Sequence, residues 1–289
     1  RGIDFIPIQH YTLNHPDDRE RLLSIPIDAL FAIGWQRLVP DWLIGHCRNR
    51  VIGIHGSSEG ITAGRGRSPQ NWALILGKTQ FHVSLFWIDP DVDSGSVIDT
   101  RRFPLTHYDT IQTSYHKVSL LTAEMLVENW KNGAIEKRIG LPQTGEARYL
   151  PQRLPEDGAI DWRRTSEEIY NFIRAQTRPY PGAFSIVSGH TIKIWQAWPF
   201  AMEAYLPSIH PGTIQTIFCD GKTLIETGNG SLLVTDYQTE PENKFQLQTG
   251  MMLESADFTR QMQIIVERHQ AKYPQLPLSD EIVSLAEKS

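Results

Sequence analysis

Cysteine is nearly absent from this chain, whose 289 residues include only Cys47 and Cys219. Without a Cys-x-x-Cys pair, the sequence excludes a disulfide framework and a cysteine zinc site, and it fits a protein of the reducing cytoplasm. The ten histidines show no His-Glu-x-x-His or comparable spacing, so no metal site is expected. No apolar run approaches the roughly 18 residues of a membrane span, so no membrane segment is expected.

A surplus of positive charge is also lacking. Residues 1–150 carry 16 Lys and Arg against 16 Asp and Glu, whereas residues 151–289 carry 12 against 17. A surface that neutralises many phosphates needs clustered basic side chains. Nucleic acid is therefore not the expected partner. Four arginines at the start of the second half suit one diphosphate better than an RNA backbone. They are Arg163, Arg164, Arg174 and Arg178.

The first half of the chain alternates strand-like and helix-like patterns. Apolar runs at 28–34 and 50–54 are typical of strands buried on both faces of a parallel sheet. Ser68 and Pro69 predict a helix start, with Ser68 as the N-cap. Further strands are expected at 80–88 and 96–103, and a helix over 108–130. This alternation indicates an α/β sheet.

A Pro-rich polar stretch from Gly140 to Asp157 separates this half from the next, so we expect domains at 1–145 and 146–289. The second half predicts a short helix at 167–177 and a terminal helix at 256–270. Between them lie five strand-like runs, at 183–187, 191–197, 213–218, 224–227 and 231–236. Five short strands in about fifty residues indicate a small barrel or an open β-domain.

Five sequence blocks in fixed order carry the strongest functional signal. They are Val51-Ile52-Gly53-Ile54-His55, Gly64-Arg65-Gly66-Arg67-Ser68-Pro69-Gln70-Asn71-Trp72-Ala73, Asp91-Val92-Asp93-Ser94-Gly95-Ser96-Val97-Ile98, Pro155-Glu156-Asp157-Gly158-Ala159-Ile160-Asp161-Trp162, and Ile173 to Phe184. A lone histidine at a strand end is ordinarily structural, and only its order with the other blocks indicates catalysis. From about residue 29 to 235 the chain resembles the N10-formyltetrahydrofolate-dependent formyltransferases.

The resemblance implies a Rossmann-like catalytic domain followed by a small C-terminal β-barrel-like (OB-like) domain. In the family a longer N-terminal portion precedes the Asn-x-His strand, so some tens of residues are expected to be missing before Arg1. Their absence would leave an exposed sheet edge.

The resemblance also implies catalytic roles. His55 would assist the oxyanion and proton traffic, and Asp93 would orient the imidazole. The family asparagine two residues before the histidine is Gly53 here, so one oxyanion donor is absent. Either a backbone N–H, Asn71 or Ser57 replaces it, or the activity is reduced.

Two binding regions follow from the same resemblance. The loop after the first strand would form the pocket for N10-formyltetrahydrofolate, with Asp89 at its rim, and its residues are Gly34, Trp35, Arg37, Leu38 and Val39. Ser57, Arg65 and Gly66 would contact the acceptor.

The expected reaction is amine N-formylation, with an amino sugar carried on a nucleotide as the leading acceptor. Initiator methionyl-tRNA is the alternative acceptor in the same chemistry. A folate- or nucleotide-binding relative with little catalysis is the alternative of a different class. The assembly state is left open, with a homodimer as one option.

Overall fold

The structure is a computed structural model, and it describes residues 5–35, 37–48, 50–200, 210–241 and 245–287. The helices are α1 Pro16–Leu23, α2 Asp41–His46, α3 Pro69–Ile75, α4 Ile111–Lys131, α5 Ser166–Arg174, α6 Phe258–Lys272 and α7 Asp280–Glu287. The strands are β1 Leu30–Ala32, β2 Val51–Ser57, β3 Arg65–Gly66, β4 Gln80–Trp87, β5 Val97–Pro104, β6 Tyr149–Leu150, β7 Ala183–Val187, β8 His190–Phe200, β9 Ile214–Ile217, β10 Thr223–Thr227 and β11 Gly230–Glu240.

The chain divides into two compact units that interleave along the sequence. The first comprises Arg1–Arg65, His82–Arg102 and Val118–Ala147, and the second comprises Gly66–Phe81, Phe103–Lys117 and Arg148–Ser289. The predicted domains, 1–145 and 146–289, divide the chain at one point and stay a prediction.

The sheet that carries His55 has the strand order β1-β2-β4-β5. Strands β1 and β2 run parallel, with Leu30 opposite Val51. Strands β2 and β4 run antiparallel, with Ile52 opposite Trp87. The expected α/β sheet is therefore present but mixed in direction.

Buried apolar residues explain why β2 forms at this place. Val51 and Ile52 are fully buried, and Val51 packs with Leu43 and Cys47 of the first unit. The outer strand β1 is different, because Phe31 is 40% exposed where burial on both faces was expected. Among the described strands β1 pairs only with β2, so it is an edge strand.

The second unit contains a five-stranded sheet in the order β7-β8-β11-β10-β9. The five expected strands are confirmed, each within a few residues of its predicted range. Of the two expected forms, a small barrel or an open β-domain, the open β-domain is confirmed, because no pairing joins β7 to β9 within the described ranges. Both edges are occupied instead, by a bridge from Ala159 to Phe184 on β7 and by one from Thr213 to Met252 beside β9.

Helix caps fix the ends of the elements near the sequence motifs. Thr165 and Glu168 form a reciprocal capping box at α5. At α3 the predicted cap position is correct, but the Ser68 side chain does not cap the helix. Its backbone is left-handed, with φ of 56°, and its hydroxyl accepts a hydrogen bond from the Arg153 N–H at 3.3 Å.

Candidate active site

His55 lies on β2 opposite Ser84 of β4 and is 8% exposed. The strand continues two residues beyond it, to Ser57, so the expectation that His55 ends the strand is wrong. Gly56 and Ser57 stay in the sheet because they pair with Val83 and His82 of β4. The imidazole is therefore carried by a strand that pairs with β4 both before and after His55.

Asp93 lies in the turn between β4 and β5, and its Oδ2 is 3.4 Å from His55 Nδ1. Its φ of 49° is left-handed, which is uncommon for a residue other than glycine. His55 Nε2 lies 2.7 Å from the Gly64 carbonyl oxygen, which can only accept, so Nε2 carries a proton. The other ring nitrogen, Nδ1, faces the Asp93 carboxylate. The structure thus brings together the two residues that the sequence analysis predicted as a catalytic pair.

Gln143 joins two segments around this pair. Its side-chain nitrogen donates to the carbonyl oxygens of Asp93, at 2.7 Å, and Gly95, at 2.9 Å. Its side-chain oxygen accepts from Arg65 Nη2, at 2.7 Å, and from the Thr62 hydroxyl, at 3.2 Å. The sequence analysis assigned Gln143 to a linker and missed this arrangement.

The loop between β2 and β3 is packed closely against the strand that carries His55. Ser57 is 1% exposed, and its hydroxyl accepts a hydrogen bond from the Glu59 N–H at 3.1 Å. A Cβ on Gly64 would lie 1.7 Å from Ser57 Oγ, so only glycine fits there. The predicted acceptor contacts Ser57 and Arg65 both belong to this loop region, and their role in binding stays a prediction.

Gly53 is enclosed by apolar side chains. A Cβ at this position would lie 3.0 Å from Phe86 Cε1 and 3.1 Å from Ile88 Cδ1. The space that the family asparagine would use is therefore filled by side chains of β4 and the residue that follows it. This packing gives the physical reason for a glycine here.

The loop predicted to bind folate follows β1. Because β1 and β2 are parallel and Ala32 pairs with Gly53, Gly34 and Trp35 leave the sheet at the edge toward which β2 carries His55. The Trp35 ring lies 4.3 Å from the Tyr11 ring. Its indole Nε1 is buried and has no hydrogen-bond partner within the described part of the chain.

The other residues of the predicted folate pocket differ in exposure. Val39 is buried in the core of the first unit, whereas Leu38 is 59% exposed. The Arg37 guanidinium lies 5.7 Å from the Tyr11 ring centroid. Asp89 Oδ1 lies 4.0 Å from Arg138 Nη2. Val39 therefore supports the loop from the core side, and Leu38 is open to solvent.

Gly66 and Asn71 belong to the second unit. Gly66 has a φ of 97°, and a Cβ there would lie 2.6 Å from the Leu150 carbonyl oxygen. Asn71 is 2% exposed and donates from Nδ2 to the Ala175 carbonyl at 2.6 Å. Its Oδ1 is buried without a hydrogen-bond partner among the residues described. The catalytic role predicted for Asn71 stays a prediction.

The four arginines considered for a diphosphate each have a partner within the second unit. Arg163 binds Asp161 at 2.8 Å, Arg164 binds Glu168 at 2.6 Å, Arg174 donates to the Asp109 carbonyl at 2.8 Å, and Arg178 binds Asp236 at 3.0 Å. Each contact uses only part of the five N–H donors of a guanidinium, so diphosphate binding by this set stays a prediction.

The described residues contain no group of three or more His, Cys, Asp or Glu side chains placed to hold a metal ion. None of their helices combines the length and apolar character of a membrane span.

Family models match both halves of the chain. The model described as "Formyl transferase" matches residues 8–129, and "Formyl transferase, C-terminal domain" matches residues 154–252.

Several solved structures are similar. HypX from Aquifex aeolicus, crystallised with tetrahydrofolic acid, has a TM-score of 0.60 at 18% identity, over 91% of this chain and 52% of that one. The N-formyltransferase from Helicobacter canadensis, in complex with folinic acid and dTDP-3-aminofucose, has a TM-score of 0.53 at 18% identity, over 71% and 72%. Methionyl-tRNA formyltransferase from Clostridium thermocellum has a TM-score of 0.51 at 21% identity, over 64% and 79%.

The chain spans about half the length of the HypX structures that it matches, between 42% and 52%. At these identities the likeness concerns the fold.

Proposed function

Because the chain belongs to the formyltransferase family, we propose that it transfers a formyl group from N10-formyltetrahydrofolate to the amine of an amino sugar carried on a nucleotide. The donor and the acceptor are both part of this proposal. The mixed α/β sheet with His55 on β2 is the part of the molecule to which the proposal assigns the chemistry.

The contact between His55 and Asp93 carries the proposal. Attack of an amine on a formyl carbon develops negative charge on the formyl oxygen, and a positioned N–H donor stabilises that charge. His55 Nε2 already donates to a carbonyl oxygen, that of Gly64, at 2.7 Å. A formyl oxygen needs the same donor. Asp93 holds the other ring nitrogen in an orientation that leaves Nε2 as the donor.

The folate assignment is supported by the loop after β1. Parallel pairing of β1 with β2 directs the loop and His55 toward the same sheet edge, where open α/β sheets bind ligands. The buried indole N–H of Trp35 costs free energy unless an acceptor satisfies it. A pterin ring offers such acceptors along its edge.

The acceptor is assigned from charge. The 12 basic and 17 acidic residues of 151–289 do not suit a long RNA backbone, whereas a nucleotide sugar carries only two phosphates. Helicobacter canadensis N-formyltransferase, which shares the fold, was crystallised with such a compound. We also propose a cytoplasmic location. The assembly state is left open, with a homodimer as one option.

The test is transfer of a ¹³C-labelled formyl group from N10-formyltetrahydrofolate to a panel of 3- and 4-amino sugar nucleotides. We expect an N-formyl product from at least one of them. His55→Gln should lower its rate of formation by about 10²–10⁴ because a positioned acid–base group contributes that much. His82→Gln is the matched control, since His82 also contacts a backbone carbonyl, that of Ser58, on the same sheet.

Labelled product from formate with ATP, and none from the folate, would refute the donor. Tight folate binding without turnover of any amine would favour the binding relative with little catalysis.

A further inference from the structure

The Gln143 side chain makes four hydrogen bonds to segments that surround His55. It contacts neither His55 itself nor the Asp93 carboxylate. It contacts the main chain on either side of Ser94, and it contacts Thr62 and Arg65 at the end of the loop whose Gly64 carbonyl faces His55. One amide group therefore ties together the two segments that face the two nitrogens of His55.

The chemistry of these contacts requires an amide. Asp93 and Gly95 present carbonyl oxygens, which only accept, while Arg65 and Thr62 present donors. A glutamine side chain supplies two N–H donors and an oxygen with two lone pairs, which matches all four partners. A glutamate would turn an acceptor toward the two carbonyls, and a methionine would serve neither side.

The turn that Gln143 holds is one that the chain does not readily adopt. Asp93 has a φ of 49°, in the left-handed region that residues other than glycine seldom occupy, although aspartate enters it more readily than most. The Gln143 bonds to the carbonyls of Asp93 and Gly95 lie on either side of the following residue, Ser94. Loss of these bonds would free the turn and move the Asp93 carboxylate away from His55.

We infer that Gln143 is a positioning residue for the formyl-transfer site, fixing the Asp93 turn and the Arg65 loop so that both face His55. This inference rests on the proposed function for its catalytic consequence. Its geometric part concerns only the placement of Asp93 beside His55.

The first measurement compares Gln143→Glu with Gln261→Glu. Gln261 makes one hydrogen bond, to the Ala159 carbonyl of the second unit at 3.1 Å, and is a matched control. Gln143→Glu should lower kcat about 10- to 100-fold, because a displacement of about 1 Å in a catalytic group has that effect. The dissociation constant for the folate should change less than threefold. Gln261→Glu should leave both values near those of the wild type.

The second measurement is a double-mutant cycle with Asp93→Asn. If Gln143 acts through Asp93, adding Gln143→Glu to Asp93→Asn should lower kcat less than threefold further. Fully multiplicative losses would overturn the inference. If Gln143→Glu does not fold, as judged by its melting temperature, Gln143→Met carries the same expectations.

The third measurement does not require turnover. Comparison of ¹⁵N spectra with those of His55→Gln assigns the His55 signals, and the Nδ1 shift should move in both Gln143→Glu and Asp93→Asn. A shift that moves in Asp93→Asn but not in Gln143→Glu would overturn the inference. If the wild type transfers no formyl group but the His55 shift moves as expected, the proposed function fails while the positioning role stands. If the wild type is active and Gln143→Glu equals it, the positioning role fails alone.

Discussion

At the scale of single residues, Gly53 shows how packing replaces a polar group. Its Cβ position is 3.0 Å from Phe86 and 3.1 Å from Ile88, distances tighter than ordinary van der Waals contact. An asparagine there cannot be added without moving one of these side chains. Under the proposed function, the oxyanion donors must therefore come from groups other than a side-chain amide at position 53.

Gly53→Asn tests this packing. We expect it to lower the free energy of unfolding by about 1–3 kcal/mol, the usual cost of overpacking, and to raise the formylation rate less than tenfold. Ile88→Ala should relieve the crowding. Added to Gly53→Asn, it should therefore lower the free energy of unfolding by less than it does in the wild type. Urea unfolding with each variant measures both effects.

The control for this experiment is Gly45→Ala, because a Cβ at Gly45 meets no atom within 4 Å. Full stability of Gly53→Asn together with a large gain in rate would contradict the packing argument. It would mean that the missing amide limits the reaction.

The sequence predicted His55 and Asp93 as partners because their motif blocks occur in a known order. It did not predict Gln143, which bonds to residues 48 to 81 positions away in the chain. Hydrogen bonds over such separations leave no local pattern. The only signal was a polar residue in a Pro-Gln-Thr-Gly turn, which is typical of many surface loops.

At the scale of elements, Asp161 connects the segment before α5 with the start of α6, both in the second unit. Its carboxylate is 8% exposed and accepts from Arg163, the Ser255 hydroxyl and the Phe258 N–H. Burial opposes ionisation of Asp161, but the hydrogen bonds from Arg163 and its other donors outweigh burial and lower its pKa below the ordinary value of an aspartate.

We therefore predict that Asp161→Asn lowers the free energy of unfolding by about 2 kcal/mol at neutral pH, since a hydrogen-bonded charged group is lost. A carboxyl with a lowered pKa stabilises the fold fully above its unfolded pKa, and loses that effect as the pH falls through the folded value. The difference between wild type and variant should thus shrink below about pH 4. Urea melts across this range measure it.

Asp257→Asn serves as the comparison, because Asp257 caps the same helix with one bond from the Arg260 N–H, which an asparagine oxygen also accepts, so this change should cost little stability. An Asp161→Asn variant as stable as the wild type would contradict the assigned role.

The strands of the second unit were predictable because apolar and polar residues alternate between Gly-containing turns. Closure of the sheet was not, because it depends on what covers the edges of β7 and β9. The antiparallel pairing of β4 with β2 was equally hidden, since a helix between two strands ordinarily indicates a parallel pair. The short helices α1, α2 and α7 lacked a long enough apolar pattern to be recognised.

At the scale of the whole molecule, the charge distribution favours the proposed amino-sugar nucleotide over tRNA as the acceptor. A protein that neutralises six or more phosphates loses affinity steeply with salt. With 12 basic residues against 17 acidic ones in 151–289, we expect little formylation of initiator methionyl-tRNA. Steady-state assays at two salt concentrations, with tRNA and amino-sugar nucleotides compared, check this. Efficient tRNA formylation with strong salt dependence, and no sugar product, would make methionyl-tRNA the acceptor.

The two compact units could not be read from composition. Helix α4 contributes residues to both units, and the residues around α3 belong with the second half of the chain. A composition change along the sequence indicates a boundary only where the chain crosses once from one unit to the next.

Under the proposed function, the Gly64 carbonyl that accepts from His55 Nε2 competes with the formyl oxygen for the same N–H donor. Only molecules whose loop has released His55 can donate to a formyl oxygen. The apparent affinity for the formyl donor is therefore reduced by the fraction of molecules in the released state. If the closed loop is favoured by about 1.4 kcal/mol, roughly tenfold more donor is needed for half-saturation. While no formyl donor is bound, the Gly64 carbonyl is the hydrogen-bond partner of that nitrogen.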